Sequence, residues 1–268
     1  MKIYEWNIRG AANFSCTNNY CIPRWIVNEV LKDNPDCIVL TEFVLSTGWD
    51  YLQSRLYAEN YNWFTSLTTG KNGILIAIKK NRHYDFSQIF HFEDDTINNS
   101  EVLNEKKPPD FYEVRLKINK EDVSIIGIRV KKDINCNKGK YYTREQLNVL
   151  DNYLIGLGHK VICIGDFNAY WGSYWNTKKN ITLPHTSQKY NLYTPVFNHT
   201  DGFSYVLPNG EKVQLDHLIT NINWKSIECK YDWDFVSAGN GYAQYEKDSP
   251  NKPNGLPDHA IFKVEAYI

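Results

Sequence analysis

Apolar positions along this chain fall into short blocks, separated by polar stretches that carry Gly and Pro. Val161-Ile162-Cys163-Ile164 is an unbroken apolar run, the pattern of a strand covered on both faces. Asp36-Cys37-Ile38-Val39-Leu40-Thr41-Glu42 and Asn72-Gly73-Ile74-Leu75-Ile76-Ala77-Ile78-Lys79 predict two more buried strands. Lys2-Ile3-Tyr4-Glu5-Trp6 predicts a strand at the start of the chain, and Gln214-Leu215-Asp216-His217-Leu218-Ile219 predicts one nearer its end. Val114 to Ile118 and Val123 to Val130 predict a hairpin. Two stretches have the wider helical spacing. Pro23 to Asn34 places Trp25, Ile26, Val30 and Leu31 on one face, and Pro35 follows its end. Arg144 to Leu157 packs through Leu147, Leu150, Leu154 and Leu157, with Gly156 and Gly158 marking its end. Residues 93–110, rich in Asp, Asn, Glu, Lys and Pro, are the most loop-like part. There are no repeats and no long linker.

Length narrows this to one large α/β domain spanning residues 1–268. Hydrophobic residues make up 42% of the chain, enough for a substantial core, yet no run approaches ~20 consecutive apolar residues, so no membrane span is expected. The first residues form a strand pattern with no signal-peptide pattern, which favours an intracellular, cytoplasmic protein or one whose signal has been removed. Cys37 and Cys163 lie inside apolar strands as buried thiols. Cys16 and Cys21 could pair, but a cytoplasmic setting disfavours it. Cys136 and Cys229 complete the six, and no Cys-x-x-Cys or Cys/His cluster suggests zinc. No feature calls for an obligate protein partner.

The chemistry sits where these strands end. Gly165-Asp166-Phe167-Asn168-Ala169 follows the 161–164 run directly. Asp166 and Asn168 are two apart, so an extended backbone would aim both the same way; an Asx-type turn is the other reading. Trp6-Asn7-Ile8-Arg9-Gly10 delivers Asn7, the second strand ends in Glu42, another begins at Asp216, and Pro257-Asp258-His259-Ala260-Ile261-Phe262 sets an Asp-His pair before an apolar segment.

This ordered set resembles the endonuclease/exonuclease/phosphatase superfamily, which contains deoxyribonucleases, abasic-site endonucleases, sphingomyelinases and inositol-polyphosphate phosphatases. The resemblance runs from Trp6-Asn7 to Asp258-His259. It implies a four-layer α/β sandwich, two mixed β-sheets flanked by helices, with the site at one end. It also implies Mg²⁺ or Mn²⁺, a hard cation that takes oxygen ligands and keeps several waters. Glu42 is the first choice as metal ligand, with Asn7 and Asp258 beside it. Asp166 is the expected water-orienting base, and Asn168 the donor to a non-bridging oxygen. His259 is expected at the scissile phosphate with Asp216 as its carboxylate, which orients the imidazole and favours its charged form; general base and stabilising cation both stay open as its role. Strand alternation turns His217 to the opposite face from Asp216, a structural position. His83, His91, His159, His185 and His199 receive no role.

Two departures from the family pattern matter. Where relatives carry a second catalytic His or a Tyr, this chain has Arg129. Arginine cannot act as a general acid at a pKa above ~12, but it can clamp a phosphate with two hydrogen bonds. Arg9 stands where abasic-site enzymes carry Asp or Asn, and a phosphate contact and a surface salt bridge are both open. Beyond Arg129, the basic residues Lys131, Lys132, Lys138, Lys140 and Arg144 are interspersed with Tyr141 and Tyr142, which suits a nucleic-acid backbone with stacked bases; a solvated loop is the alternative. Trp171 and Trp175 either line the cleft or pack their loop. A formal net charge of −1 argues against a broad duplex-binding surface. Nuclease activity leads, with nucleic acid as partner. A phosphatase or phosphodiesterase acting on a small phosphorylated molecule or lipid headgroup is the alternative, and a catalytically silent binding protein is the third reading.

Overall fold

The computed structural model describes residues 1–8, 22, 24–45, 48–66, 73–80, 84–92, 109–131, 139–169, 183, 186–207, 209–237 and 257–267, with backbone alone for 84–92 and 139–142. In chain order the elements are β1 (Lys2–Asn7), α1 (Arg24–Leu31), β2 (Cys37–Phe43), α2 (Trp49–Ala58), β3 (Tyr61–Thr65), β4 (Gly73–Lys79), β5 (Tyr84–Phe92), β6 (Asp110–Ile118) and β7 (Glu121–Arg129). Then follow α3 (Gly139–Gly156), β8 (Lys160–Asp166), a 3₁₀ turn (Thr186–Gln188), β9 (Asn191–Tyr193), β10 (Tyr205–Val206), β11 (Lys212–Val213), β12 (Asp216–Thr220), β13 (Ser226–Asp232), α4 (Asp234–Ser237) and β14 (Ile261–Tyr267).

The chain divides into two compact units, Met1–Lys80 with Pro195–Val213 and Ser226–Tyr267, and Asn81–Thr194 with Gln214–Lys225. The first is built on a six-stranded sheet of order β13-β14-β1-β2-β4-β3. Only β1 and β2 run parallel, so the sheet is mixed. Strand alternation explains its layers. Tyr4, Trp6 and Ile8 of β1 and Ile38 and Leu40 of β2 face one way and pack with Ile26, Val27 and Val30 of α1 and Leu52 and Leu56 of α2. The alternate positions Ile3, Val39, Ile76 and Val264 are buried as well. Burial on both faces is why these strands read as continuous apolar runs.

The second unit repeats the plan. Its sheet has the order β5-β6-β7-β8-β12-β9 and is also mixed, with β7 and β8 parallel. Leu147, Leu150 and Leu154 of α3 pack on Phe111, Ile126, Ile128, Val161 and Cys163. Each such buried side chain contributes roughly 1.5–3 kcal/mol against exposure. One sheet and one helical layer per unit supply the layers of the expected fold class.

Two boundaries differ most from the sequence reading. Helix α3 begins at Gly139, five residues before Arg144. Strand β6 begins at Asp110, the last residue of the stretch that composition marks as loop and four residues before Val114, because the charged but fully buried Glu113 interrupts the apolar pattern ahead of Val114.

Candidate active site

The first unit gathers oxygen donors at one end of its sheet. Asn7 is the last residue of β1 and 1% exposed, on the face opposite the helices. Parallel pairing sets it opposite Thr41, whose hydroxyl donates to the buried Glu5 carboxylate at 3.0 Å. Plain alternation would turn the next residue, Glu42, towards the helices. A β-bulge prevents this. Leu40 pairs with Leu75 but Phe43 pairs with Gly73, one residue more on β2 than on β4, and Glu42 takes a left-handed φ of 50°. Bulges re-aim side chains in this way. The Glu42 carboxylate thereby accepts a hydrogen bond from Asn7 Nδ2 at 3.2 Å. A non-glycine residue in this conformation costs about 1–3 kcal/mol, a strain characteristic of functional positions.

Asp258 and His259 lead into β14, which runs antiparallel to β1, so they share that end of the sheet. Both are buried, at 8% and 4% exposed. His259 is held by its neighbours. Its carbonyl accepts from Trp6 Nε1 at 2.9 Å, it bridges Tyr205 in antiparallel fashion, and the Tyr205 ring lies against the imidazole with centroids 4.9 Å apart.

The second unit carries a row of charges. Strand register places Asp110 opposite Arg129, Arg129 opposite Asp166, and Asp166 opposite Asp216, on four adjacent strands. Residues in register share a face, and this one is opposite the α3 core. Carboxylate oxygens of Asp166 and Asp216 lie within 4.8 Å of each other. Arg129 Nη1 meets Asp110 Oδ2 at 3.1 Å, and Lys131 Nζ meets Asp110 Oδ1 at 2.5 Å.

Asp166 and Asn168 meet through a turn, not by extended alternation. Asn168 has a φ of 45°; its backbone N–H donates to Asp166 Oδ1 and its Nδ2 to Asp166 Oδ2, both at 2.8 Å. Nδ2 also donates to the Val130 carbonyl at 2.7 Å. Both amide hydrogens are therefore directed at protein acceptors, which fits a residue that holds Asp166 better than one that donates to substrate. Gly165 permits the approach: at φ 156° a Cβ there would stand 1.9 Å from the Ile128 carbonyl oxygen. His217 occupies the opposite face, as alternation predicts. It is fully buried, contacts the Ala169 carbonyl at 3.1 Å through Nε2, and packs edge-on against Phe167. Burial holds its pKa down to about 4, against smaller opposing effects of the Ala169 carbonyl and Asp216.

Arg9, Lys132, Lys138, Trp171, Trp175, Cys16, Cys21 and Cys136 lie outside the described residues, and Lys140, Tyr141 and Tyr142 contribute only backbone to α3. Several partners were not visible in the sequence: Glu5 and Thr41 beside Asn7, Asp110 and Gln146 beside Arg129 and Lys131, and Tyr205 beside His259. The strand-favouring aromatic pair Phe111-Tyr112 was the available signal next to Asp110. His159, given no role, touches Ser124 Oγ at 2.6 Å, and that hydroxyl donates to the buried Glu113.

The family model for the endonuclease/exonuclease/phosphatase family matches residues 5–238, a span that includes parts of both units. The chain belongs to that family. No curated protein matches it in sequence. Among solved structures, truncated TDP2 of Caenorhabditis elegans is 12% identical, covers 100% of this chain and 97% of its own, and has a TM-score of 0.64. TDP2 of D. rerio, complexed with single strand DNA product, is 11% identical over 99% of this chain and 98% of its own, with a TM-score of 0.62. A mannosyl-6-phosphatase of Bacteroides thetaiotaomicron VPI-5482 is 13% identical over 100% of both chains, with a TM-score of 0.60. At these identities the likeness establishes the fold.

Enzymes of this family typically use divalent metals. Asn7, Glu42 and Asp258 offer amide and carboxylate oxygens and no sulfur, a donor set that suits a hard cation such as Mg²⁺ or Mn²⁺. The bulge that turns Glu42 onto Asn7 is the structural feature that fits such a site. Among the described residues no helix is long and apolar enough to cross a membrane.

Proposed function

We propose that residues 1–268 form one catalytic domain, an intracellular Mg²⁺- or Mn²⁺-dependent hydrolase that cleaves phosphodiester bonds in nucleic acid. The row Asp110–Arg129–Asp166–Asp216 carries this reading, because it sets a fixed carboxylate directly beside a phosphate-binding cation. Glu42, with Asn7 and Asp258, holds the metal. Once bound, the metal neutralises phosphate charge and lowers the pKa of a coordinated water.

The chain's own groups do the rest. Asp166 takes a proton from the attacking water, with both its oxygens fixed by Asn168. Arg129 and Lys131 bind non-bridging oxygens, where negative charge accumulates in the transition state. Arg129 keeps its proton, so leaving-group protonation does not come from this position. His259, partnered by Asp216, offers an imidazolium to the phosphate. Tyr205 on the imidazole and Trp6 on the His259 carbonyl limit its rotation. Arg9, Tyr141 and Trp171 complete the proposed substrate contacts.

The test pairs purified protein and Mg²⁺ or Mn²⁺ with labelled single-stranded, linear and supercoiled DNA, an abasic duplex and RNA, with EDTA as control. We expect metal-dependent cleavage that falls roughly 10²–10⁴-fold in Asp166→Asn and in His259→Ala, with unchanged melting temperature. Full activity in either variant would overturn the mechanism.

A second reading, a phosphatase or phosphodiesterase of a small molecule or lipid headgroup, is favoured by the formal net charge of −1 and by the likeness to a mannosyl-6-phosphatase. Phosphate release from free nucleotides, sugar phosphates or inositol phosphates, with all polymers left intact, would establish it. Failure to bind Mg²⁺ or Mn²⁺ by calorimetry would leave a silent binding protein of the same fold.

A further inference from the structure

Strand β7 ends at Arg129, yet the backbone polar groups of the next two residues are all bonded. The Val130 N–H donates to the Asp166 carbonyl at 2.8 Å, and the Val130 carbonyl accepts from Asn168 Nδ2 at 2.7 Å. Lys131 is held by a helix instead. Gln146 of α3 accepts the Lys131 N–H through Oε1 and donates to the Lys131 carbonyl through Nε2, each at 2.8 Å. Gln146 is fully buried. A buried primary amide is costly unless its hydrogen bonds are made, and here one residue supplies a partner for each of its polar atoms.

The Val130 carbonyl and the Lys131 N–H belong to one peptide group. Such a group is planar, and in the trans form its two polar ends point in opposite directions. A rotation of the plane therefore moves both ends together. Gln146 grips one end and Asn168 the other. Asn168 gives the other Nδ2 hydrogen to Asp166 Oδ2 at 2.8 Å. A continuous chain of hydrogen bonds thus runs from a buried helix side chain to a carboxylate, and each bond polarises the next. We propose that Gln146 is a positioning residue for Asp166, acting through the Val130–Lys131 peptide and Asn168. Its polar atoms are both engaged by Lys131, so its influence on the reaction travels through this peptide. The inference rests on the reading of Asp166 as the base that takes a proton from water, and it extends that reading to the helix that aims the base.

The experiment measures kcat and KM on bis(p-nitrophenyl) phosphate with Mn²⁺ for wild type, Gln146→Met, Gln146→Glu, Asn168→Ala and the double variant Gln146→Met with Asn168→Ala. Methionine is close to glutamine in volume and makes neither bond. In Gln146→Met we expect kcat to fall roughly 10–100-fold, the cost of a misplaced catalytic group, with KM little changed. Ionised glutamate keeps the acceptor for the Lys131 N–H and gives up the donor, so Gln146→Glu should lie between wild type and Gln146→Met. With Asn168→Ala already present, Gln146→Met should cost no further kcat, because the chain is cut. Leu150→Val, in the core face of the same helix, should lower the melting temperature and leave kcat unchanged. A purely structural Gln146 would behave like Leu150, or would lower kcat by the same factor with and without Asn168; either result overturns the inference. If Gln146→Met does not fold, Gln146→Glu carries the same cycle. Amide hydrogen exchange runs alongside. The Asn168 N–H, which donates to Asp166 Oδ1, should exchange faster in the Gln146 variants while amides within β8 keep their wild-type rates. If wild type leaves the ester intact, the reading of Asp166 as the base of a phosphodiesterase fails, and the exchange rates still decide whether Gln146 holds the Asp166 turn.

Discussion

Each unit contains a three-residue ion cluster centred on a buried charge, and the two are inverses. In the first unit Lys263, 5% exposed, lies between two carboxylates, 2.7 Å from Asp33 and 2.5 Å from Asp232. In the second, Asp110 lies between two cations. Their surroundings differ. Around Lys263 the surplus is negative and rests on groups with further bonds: Tyr4 donates to Asp33 at 2.8 Å, and Asp232 accepts the Asp234 N–H at the same distance. Asp33 is also 42% exposed, so water solvates it. Around Asp110 the two cations belong to the row of side chains that continues to the carboxylates Asp166 and Asp216. The first cluster is closed off by internal bonds and solvent and supports the fold; the second continues into the row that holds the candidate catalytic carboxylate Asp166.

Stability should separate the two clusters most strongly. Lys263→Met would leave Asp232, 8% exposed, without its cation; breaking a buried pair in this way costs about 3–5 kcal/mol. Asp110→Asn keeps an oxygen acceptor between Arg129 and Lys131, both more exposed than Lys263, and should cost less, about 1–2 kcal/mol. Urea unfolding of the two variants against wild type measures both. Equal losses would mean that the Asp110 cluster is also a fold support, and the contrast between the units would collapse.

Much of this arrangement was legible in the sequence and some of it was not, for identifiable reasons. The runs at 73–79 and 161–164 showed their strands because both faces are buried there. Asn7, Glu42, Asp166, Asp216, Asp258 and His259 were visible because each lies at or just beside the end of an apolar block. Hydrophobic periodicity reports which face a residue takes, but not a left-handed φ. The bulge that brings Glu42 to Asn7, and the turn that folds Asn168 back onto Asp166, therefore left no mark in the pattern. Cross-strand ion pairs depend on register, which a single sequence does not give. The composition of 93–110 marks Asp110 as loop, and only register sets it beside Arg129.

Acid should distinguish the units by pH window. In the second unit, burial lowers the pKa of His217 from its ordinary 6.5 to about 4. The unfolded chain then binds this proton more readily than the folded one, so His217 contributes full stability above pH 6.5 and loses it as pH falls towards about 4. A shift of this size corresponds to at most about 3 kcal/mol. Urea unfolding of wild type should show the decline, and His217→Gln, which keeps an amide donor for the Ala169 carbonyl without titrating, should flatten it. A decline of unchanged size in the variant would assign it to another group.

The first unit's window lies lower and its effect is the smallest of the three. The hydrogen bond from Lys263, followed by that from Tyr4, holds the Asp33 pKa down from 3.8 to about 2. The folded state therefore keeps this carboxylate charged where the unfolded state has begun to protonate it. The stability Asp33 contributes is complete above pH 3.8 and is lost as pH falls through about 2. Because Asp33 is 42% exposed, solvent and salt screen most of the effect. Melting curves of Asp33→Asn and wild type, recorded at low ionic strength from about pH 4 downward, should converge as the pH falls, and added salt should narrow the gap between them. Lys263 would remain paired with Asp232 in the variant, so a loss as large as that in Lys263→Met would show that Asp33, and not the more deeply buried Asp232, is the carboxylate that holds this cation in place.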